Sequence, residues 1–262
     1  MKNIGLILFD IDGVIRSVEN SYRLSLKKTV FKFSGWEPSY KDIDCAKNEG
    51  IWNNDWDLSL ELIKRFIKTE NLKLQIPSRD EIVKCFEEFY FGGDPHKDSK
   101  YWSGFITNEE LLVDKKFFDL LQSNGIIWGF VSGAESASAK FVLEKRLGLK
   151  SPPLISMGDA PDKPDPKGFI NLSKKLIGDK LGESNIPIAY VGDTIADINT
   201  VINARKEIPS QKFISIGIAP PHLHLNSRLK ERNSYETNLR DAGADLILNS
   251  IYELKDINLD LF

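Results

Sequence analysis

The chain has 262 residues, with 35 Lys plus Arg against 38 Asp plus Glu for a formal net charge of -3, and is 41% hydrophobic and 28% charged. Those proportions exclude fibrous, collagenous and disordered classes, and balanced charge without a long basic run excludes the footprint of a nucleic-acid binder. At roughly 150 residues per domain, one large domain or a core with a smaller second domain is expected, and either can bury a sizeable apolar centre.

Taken in chain order, Gly5 to Phe9 is the first compact apolar run and reads as a strand. Asp10 and Asp12 cut it short, leaving too little for a signal peptide or a membrane span, so no membrane association is expected. From about Ser17 to Phe105 the rhythm changes. Helical patterns at Tyr22 to Phe33, Leu58 to Thr69 and Arg79 to Phe89 follow one another without strands, which predicts an inserted helical bundle. Gly92, Gly93, Asp94 and Pro95, then Gly104, are expected to form its loop and return hinge. Beyond it, strand patterns at Ile126 to Val131, Leu154 to Ile155, Ile186 to Val191, Phe213 to Ile218 and Ala244 to Leu248 alternate with helical ones. The helical ones are Glu109 to Gln122, Ala137 to Leu147, Pro166 to Leu176, Ile195 to Arg205 and Ser234 to Ala242. Such alternation predicts an α/β fold, a doubly wound parallel sheet covered on both faces. Cys45 and Cys85 have no metal-type spacing, and so few thiols point to a reducing, cytoplasmic compartment.

The chemistry is expected at the carboxyl ends of those strands, where ligands bind in parallel sheets. Asp10 and Asp12 leave the first strand together; if the backbone stays extended, both carboxylates share a side, with Ile11 facing away and Gly13 permitting a turn. Two anions so close need a cation or a shared proton. An all-oxygen cluster of this kind suits Mg2+, the plain alternative being an acidic loop start. Ser132 and Gly133 follow the second strand, Lys163-Pro164-Asp165-Pro166 the third, and Gly192-Asp193-Thr194-Ile195-Ala196-Asp197 the fourth. A hydroxyl, an ammonium and further carboxylates form a set able to bind phosphate and Mg2+ together.

In this order, Asp-x-Asp-Gly, then Ser, then Lys-Pro, then Gly-Asp with a further Asp, the sequence resembles the haloacid dehalogenase superfamily of phosphatases and related phosphotransferases. The resemblance implies a Rossmann-like core, residues 1–16 and 106–262, and a helical cap of the superfamily's first structural type, residues 17–105. It implies that Asp10 is the nucleophile that becomes an aspartyl phosphate and Asp12 the general acid and base. Ser132 and Gly133 would bind the phosphoryl oxygens, and Lys163 would neutralise charge on nucleophile and phosphate. The Asp10 carboxylate, the Asp12 carbonyl and Asp193 would hold Mg2+, with Asp197 holding a metal water or Lys163. The expected activity is a Mg2+-dependent phosphatase acting on a small phosphorylated metabolite. A phosphomutase of the beta-phosphoglucomutase type and a catalytically silent binding module are the rivals.

Some residues keep two readings. Asn53, Asn54, Asp55 and Trp56, with Asp57 beside them, cap and pack the helix they precede or face the pocket and select the leaving group, and both can hold at once. With the tryptophans of the insertion, the second reading leans towards a sugar or polyol phosphate. Arg16 is either a phosphate or substrate ligand or a solvated arginine at the hinge. His222 and His224 belong to a surface loop or pocket rim, since two histidines two apart lack the third ligand a zinc site needs.

Overall fold

The structure, a computed structural model, describes residues 4–47, 49, 52, 54–178, 181–183 and 186–257. The chain divides into two compact units, Met1–Ser17 with Glu110–Phe262, and Val18–Glu109.

In the first unit six parallel strands run β1 (Gly5–Phe9), β2 (Ile126–Val131), β3 (Leu154–Ile155), β4 (Ile188–Gly192), β5 (Phe213–Ile218) and β6 (Leu246–Leu248), in sheet order β3-β2-β1-β4-β5-β6. Every residue of β1, β4 and β5 is buried, as expected of strands covered on both faces. The period of two divides β1 between two cores. Ile7 and Phe9 join Phe117, Phe118 and Leu121 of α5 (Lys115–Ser123) and Ala139 of α6 (Ser136–Lys140). Leu6 and Leu8 face Phe169 and Leu172 of α7 (Lys167–Ile177) and Val201 and Ala204 of α8 (Ile195–Glu207). Each fully buried phenylalanine contributes about 2 kcal/mol of transfer free energy, and the edge-on contacts of Phe9 with Phe117 and Phe118 hold α5 to the sheet. A last helix, α9 (Leu229–Asp241), packs on β5 and β6.

The strand order places the switch of direction between β1 and β4, and at such a point loops from neighbouring strands diverge and leave a crevice. Several expected helices have different bounds, and the one expected from Ser234 already starts at Leu229. The helix expected from Glu109 starts only at Lys115, because Asp114 caps it by accepting from the Phe117 N–H at 3.0 Å, and Leu112 N–H is already committed to the Ile15 carbonyl at 2.9 Å. The pattern from Ala137 to Leu147 is α6 followed by a π-helical turn, Phe141–Arg146.

The second unit holds α1 (Tyr22–Ser34), α2 (Tyr40–Lys47), α3 (Asp55–Thr69) and α4 (Arg79–Phe91), with α1, α3 and α4 packed on one another. The 3-10 turn Phe105–Asn108 packs on α1 and α4 and so counts with the helices. The sequence reading passed over α2, although Ser39 and Asp42 exchange the reciprocal bonds of a capping box at its start. Gly92 ends α4 with φ +65°, and a Cβ on Gly104 would come within 2.4 Å of the Gly92 nitrogen, so the two glycines let the returning loop cross the helix end. Of the four insertion tryptophans, Trp36 stacks on Phe66 and Trp102 packs on Phe91.

Among the described residues no helix is long and apolar enough to cross a membrane. Asn54 caps α3, its side-chain oxygen accepting from Trp56 N–H at 2.8 Å and Asp57 N–H at 3.3 Å. Asn54→Ala is expected to cost about 1 kcal/mol and to speed hydrogen exchange in the first turn of α3. Asn54→Ser should restore most of the loss, and equal effects of the two substitutions would contradict the capping role.

Candidate active site

Asp10 emerges from the carboxyl end of β1, 5% exposed, with its amide donating to the Val191 carbonyl of β4 at 2.8 Å. The chain then turns into a closed hook. Gly13 N–H donates to the Arg16 carbonyl at 2.8 Å, and the Ile15 and Arg16 amides both reach the Ile11 carbonyl. Gly13 has φ +77°, and a Cβ there would stand 2.1 Å from Asp193 Oδ2. Glycine therefore serves two needs, a left-handed turn and room for Asp193.

Asp193 follows β4 directly, and Thr194 and Asp197 then close a capping box at the start of α8. Asp197 Oδ2 accepts from the Thr194 amide at 2.9 Å and hydroxyl at 2.6 Å, while the Thr194 hydroxyl accepts from the Asp197 amide. A Cβ on Gly192 would lie 2.2 Å from the Asp197 Cβ, so this box also needs glycine before it. The other oxygen of Asp197 accepts from Lys163 Nζ at 2.6 Å. Lys163 Nζ also lies 3.1 Å from Asp10 Oδ1, off the line a hydrogen bond needs, so that buried oxygen has an ionic neighbour but no hydrogen-bond donor.

Asp10, Asp193 and Asp197 each offer an oxygen within 4.8 Å of the others'. Burial, set against Lys163 and reinforced by Asp197 and Asp12, pushes Asp10 up from 3.8 to about 7. Burial, with Asp197 and Asp10 adding to it, also holds Asp193 well above the carboxylate range. Burial would lower Lys163, but Asp10 and Asp197 outweigh it and keep the ammonium charged. This crowding is what a divalent cation relieves. Both oxygens of Asp197 are spent on Lys163 and the helix start. Asp10 and Asp193 therefore supply the free carboxylate oxygens, a hard donor set that fits Mg2+.

The remaining predicted residues fall in three places. Ser132, 5% exposed at the end of β2, accepts at Oγ from the Ala134 amide at 3.2 Å, and Gly133 beside it is exposed with open space around it. The Asp12 carboxylate stands outside the group of three; its Oδ1 accepts from Arg16 Nε at 2.6 Å. Arg16 is not the solvated hinge arginine of one sequence reading: it is fully buried, because Asp12 and Ser138 meet its guanidinium. In the helical unit Asn54 is the α3 cap, Asp55 pairs with Lys47 at 2.7 Å, and Trp56 packs edge-on against Phe86 under the Arg79 guanidinium. Asn53 lies outside the described residues. His224 places a ring nitrogen 2.8 Å from the Ala219 carbonyl, His222 sits in a 3-10 turn, and the metal-capable group among the described residues contains no histidine.

Two tyrosines escaped the sequence reading. Tyr190, 1% exposed on β4, donates to the Val131 carbonyl at 2.6 Å and accepts from Lys163 Nζ at 3.3 Å, propping the ammonium. A hydroxyl-bearing residue in an apolar strand, two before Gly192, was a readable signal. Tyr235 of α9 donates to the Asp193 carbonyl at 2.8 Å, a contact across 42 positions that no local pattern announces.

A family model described as haloacid dehalogenase-like hydrolase matches residues 4–205. The chain is 29% identical over 258 residues to an imidazoleglycerol-phosphate dehydratase of Phytophthora nicotianae, covering 96% of this chain and 52% of that protein; it spans about half the length of that curated relative. The fold is similar to phosphatase Tt82 from Thermococcus thioreducens, at TM-score 0.62 and 21% identity over 90% of this chain and 99% of the other. It is also similar to a phosphonoacetaldehyde hydrolase like protein from Oleispira antarctica, at TM-score 0.66 and 16% identity over 97% and 91%.

Without a cation the crowded carboxylates carry a cost. In the metal-free protein, folded Asp10 keeps a proton up to about pH 7 that the unfolded chain releases near 3.8. Its contribution to stability therefore declines as pH rises through that window. Mg2+ is expected to raise the melting temperature most at the upper end of the window. Asp193→Asn should abolish most of that rise while leaving the metal-free protein as stable as wild type or more so; a full Mg2+ response in the variant would contradict the assignment.

Proposed function

Because the chain belongs to the haloacid dehalogenase-like hydrolases, we propose that this enzyme is a Mg2+-dependent phosphatase acting on a small phosphorylated metabolite through an aspartyl phosphate. The observation that carries the reading is Asp10 Oδ1, a buried carboxylate oxygen with no hydrogen-bond donor, 3.1 Å from a lysine ammonium, at the switch point of the sheet.

A carboxylate attacks a phosphate dianion poorly because the two repel, so the site must concentrate positive charge. Lys163 supplies part of it and is held in place by Asp197 and Tyr190. Mg2+, when held by the Asp10 and Asp193 carboxylates and the Asp12 carbonyl, supplies the remainder. Asp10 then forms the bond to phosphorus as the ester P–O bond breaks. Asp12 gives its proton to the departing alkoxide. In the second half Asp12, now a carboxylate, takes a proton from the water that attacks phosphorus, releasing inorganic phosphate and restoring Asp10. Ser132 and the amide of Gly133 hold phosphoryl oxygens. The helical unit, inserted in the chain between β1 and β2, serves as the cap that selects the leaving group, and the compartment is cytoplasmic.

A panel of sugar, polyol and imidazole-bearing phosphate esters, assayed with Mg2+ for phosphate release, tests this. The last class is included because the Phytophthora relative is named for such an ester. Turnover is expected to fall at least about a thousandfold in Asp10→Asn, since a covalent step is lost. Isomerisation of a sugar phosphate without phosphate release would mean a phosphomutase. Turnover equal in wild type and Asp10→Asn, or none in either, would overturn the reading in favour of a silent module.

A further inference from the structure

Among the described residues Arg16 is the largest fully buried side chain, and it is charged. A buried guanidinium is tolerated only where its donors are met, and the planar fork then fixes whatever it binds. Here Nε donates to Asp12 Oδ1 at 2.6 Å and one terminal nitrogen donates to Ser138 Oγ at 2.8 Å. Ser138 is itself fully buried on α6, the helix that follows the Ser132 and Gly133 turn. The Gly13 to Arg16 backbone bond closes the hook, so the side chain at position 16 is returned to the carboxylate four residues earlier.

We infer that Arg16, anchored by Ser138, is a positioning residue for proton transfer: it occupies Oδ1 of Asp12 and so aims Oδ2 at the leaving group. The inference rests on Asp12 acting as acid and base in the reaction proposed above. A carboxyl free to rotate about two bonds spends much of its time off the line of transfer. A charge-assisted bond at 2.6 Å removes that freedom. The arginine itself gives up no proton and touches no reacting atom. Lysine, a point charge without the fork, cannot hold both Asp12 and Ser138 in one plane.

The test uses two leaving groups of similar size, p-nitrophenolate and benzyl alkoxide. The first departs without a proton and the second needs one. In Arg16→Met, kcat/KM for benzyl phosphate is expected to fall about a hundredfold, while kcat/KM for p-nitrophenyl phosphate changes less than about threefold. That ratio reports only the steps through departure of the leaving group. The kcat for p-nitrophenyl phosphate should fall as well, because hydrolysis of the phosphoenzyme uses the same carboxylate. Ser138→Ala, which keeps the buried charge paired with Asp12, should show the same asymmetry at smaller size, and Arg16→Lys should recover only part of the loss. The Mg2+-induced rise in melting temperature should persist in all three.

Equal losses of kcat/KM with both esters would mean that Arg16 only supports the fold, and no loss with either would mean that Asp12 is aimed without it. Asp12→Asn, run in parallel, separates the two levels of the proposal. If it lacks the leaving-group asymmetry, the acid role of Asp12 fails. If it shows the asymmetry and Arg16→Met does not, only the positioning inference fails.

Discussion

One ammonium among three carboxylates is the constraint around which this structure is arranged. Lys163 lies 2.6 Å from Asp197 and 3.1 Å from Asp10, with Asp193 completing the acidic group. Burying such charges is costly, and mutual attraction offsets the cost only when geometry and hydrogen bonds are good. Asp197 meets that condition fully, through Lys163 and the capping box of α8. Asp10 does not meet it, since its buried Oδ1 has no hydrogen-bond donor. A buried group left unmet in this way persists only where the surrounding structure over-determines its place.

The surrounding structure here is the doubly covered sheet. β1 sits between β2 and β4, so residues leaving β1 and β4 are neighbours whatever their own charges prefer. Two apolar layers, one beneath α5 and α6 and one beneath α7 and α8, hold that adjacency. Gly13 and Gly192 then remove the two side-chain carbons that would otherwise collide with Asp193 and Asp197. The acidic group is thus a product of sheet topology and two missing methyl groups, and hydrophobic burial elsewhere offsets its repulsion.

The helical unit is held by different means. Its interior is an aromatic run, Tyr22 against Phe86 and Tyr90, Tyr90 against Phe91, and Phe91 against Trp102. Near its ends in sequence, the buried Glu109 accepts from the Ser21 hydroxyl at 2.6 Å and the Tyr90 hydroxyl at 3.1 Å, tying the exit of the segment to its entrance. Local capping by Asn54 and Ser78 sets where α3 and α4 begin. The cluster of Asn54, Asp55 and Trp56 stands out in sequence because capping and ligand binding draw on the same polar residue types, and the cap at Asn54 is the role its hydrogen bonds show.

Sequence alone determined what is local or periodic. The apolar runs that became β1, β2, β3 and β5 were readable to the residue, since each is a compact, mostly apolar run. The order of Asp10, Ser132, Lys163 and Asp193 after successive strands was equally plain, because Asp10, Ser132 and Asp193 directly follow theirs and Lys163 lies in the loop after β3. What the tertiary structure decided is how each polar atom is used. Whether Asp197 serves a metal or Lys163, whether Arg16 meets solvent or Asp12, and what holds Asp193 from behind all depend on partners distant in the chain. Arg16 and Ser138 are separated by 122 positions and Lys163 and Asp197 by 34. Such pairings follow from the packing of sheet and helices as a whole, and no window of sequence contains both members.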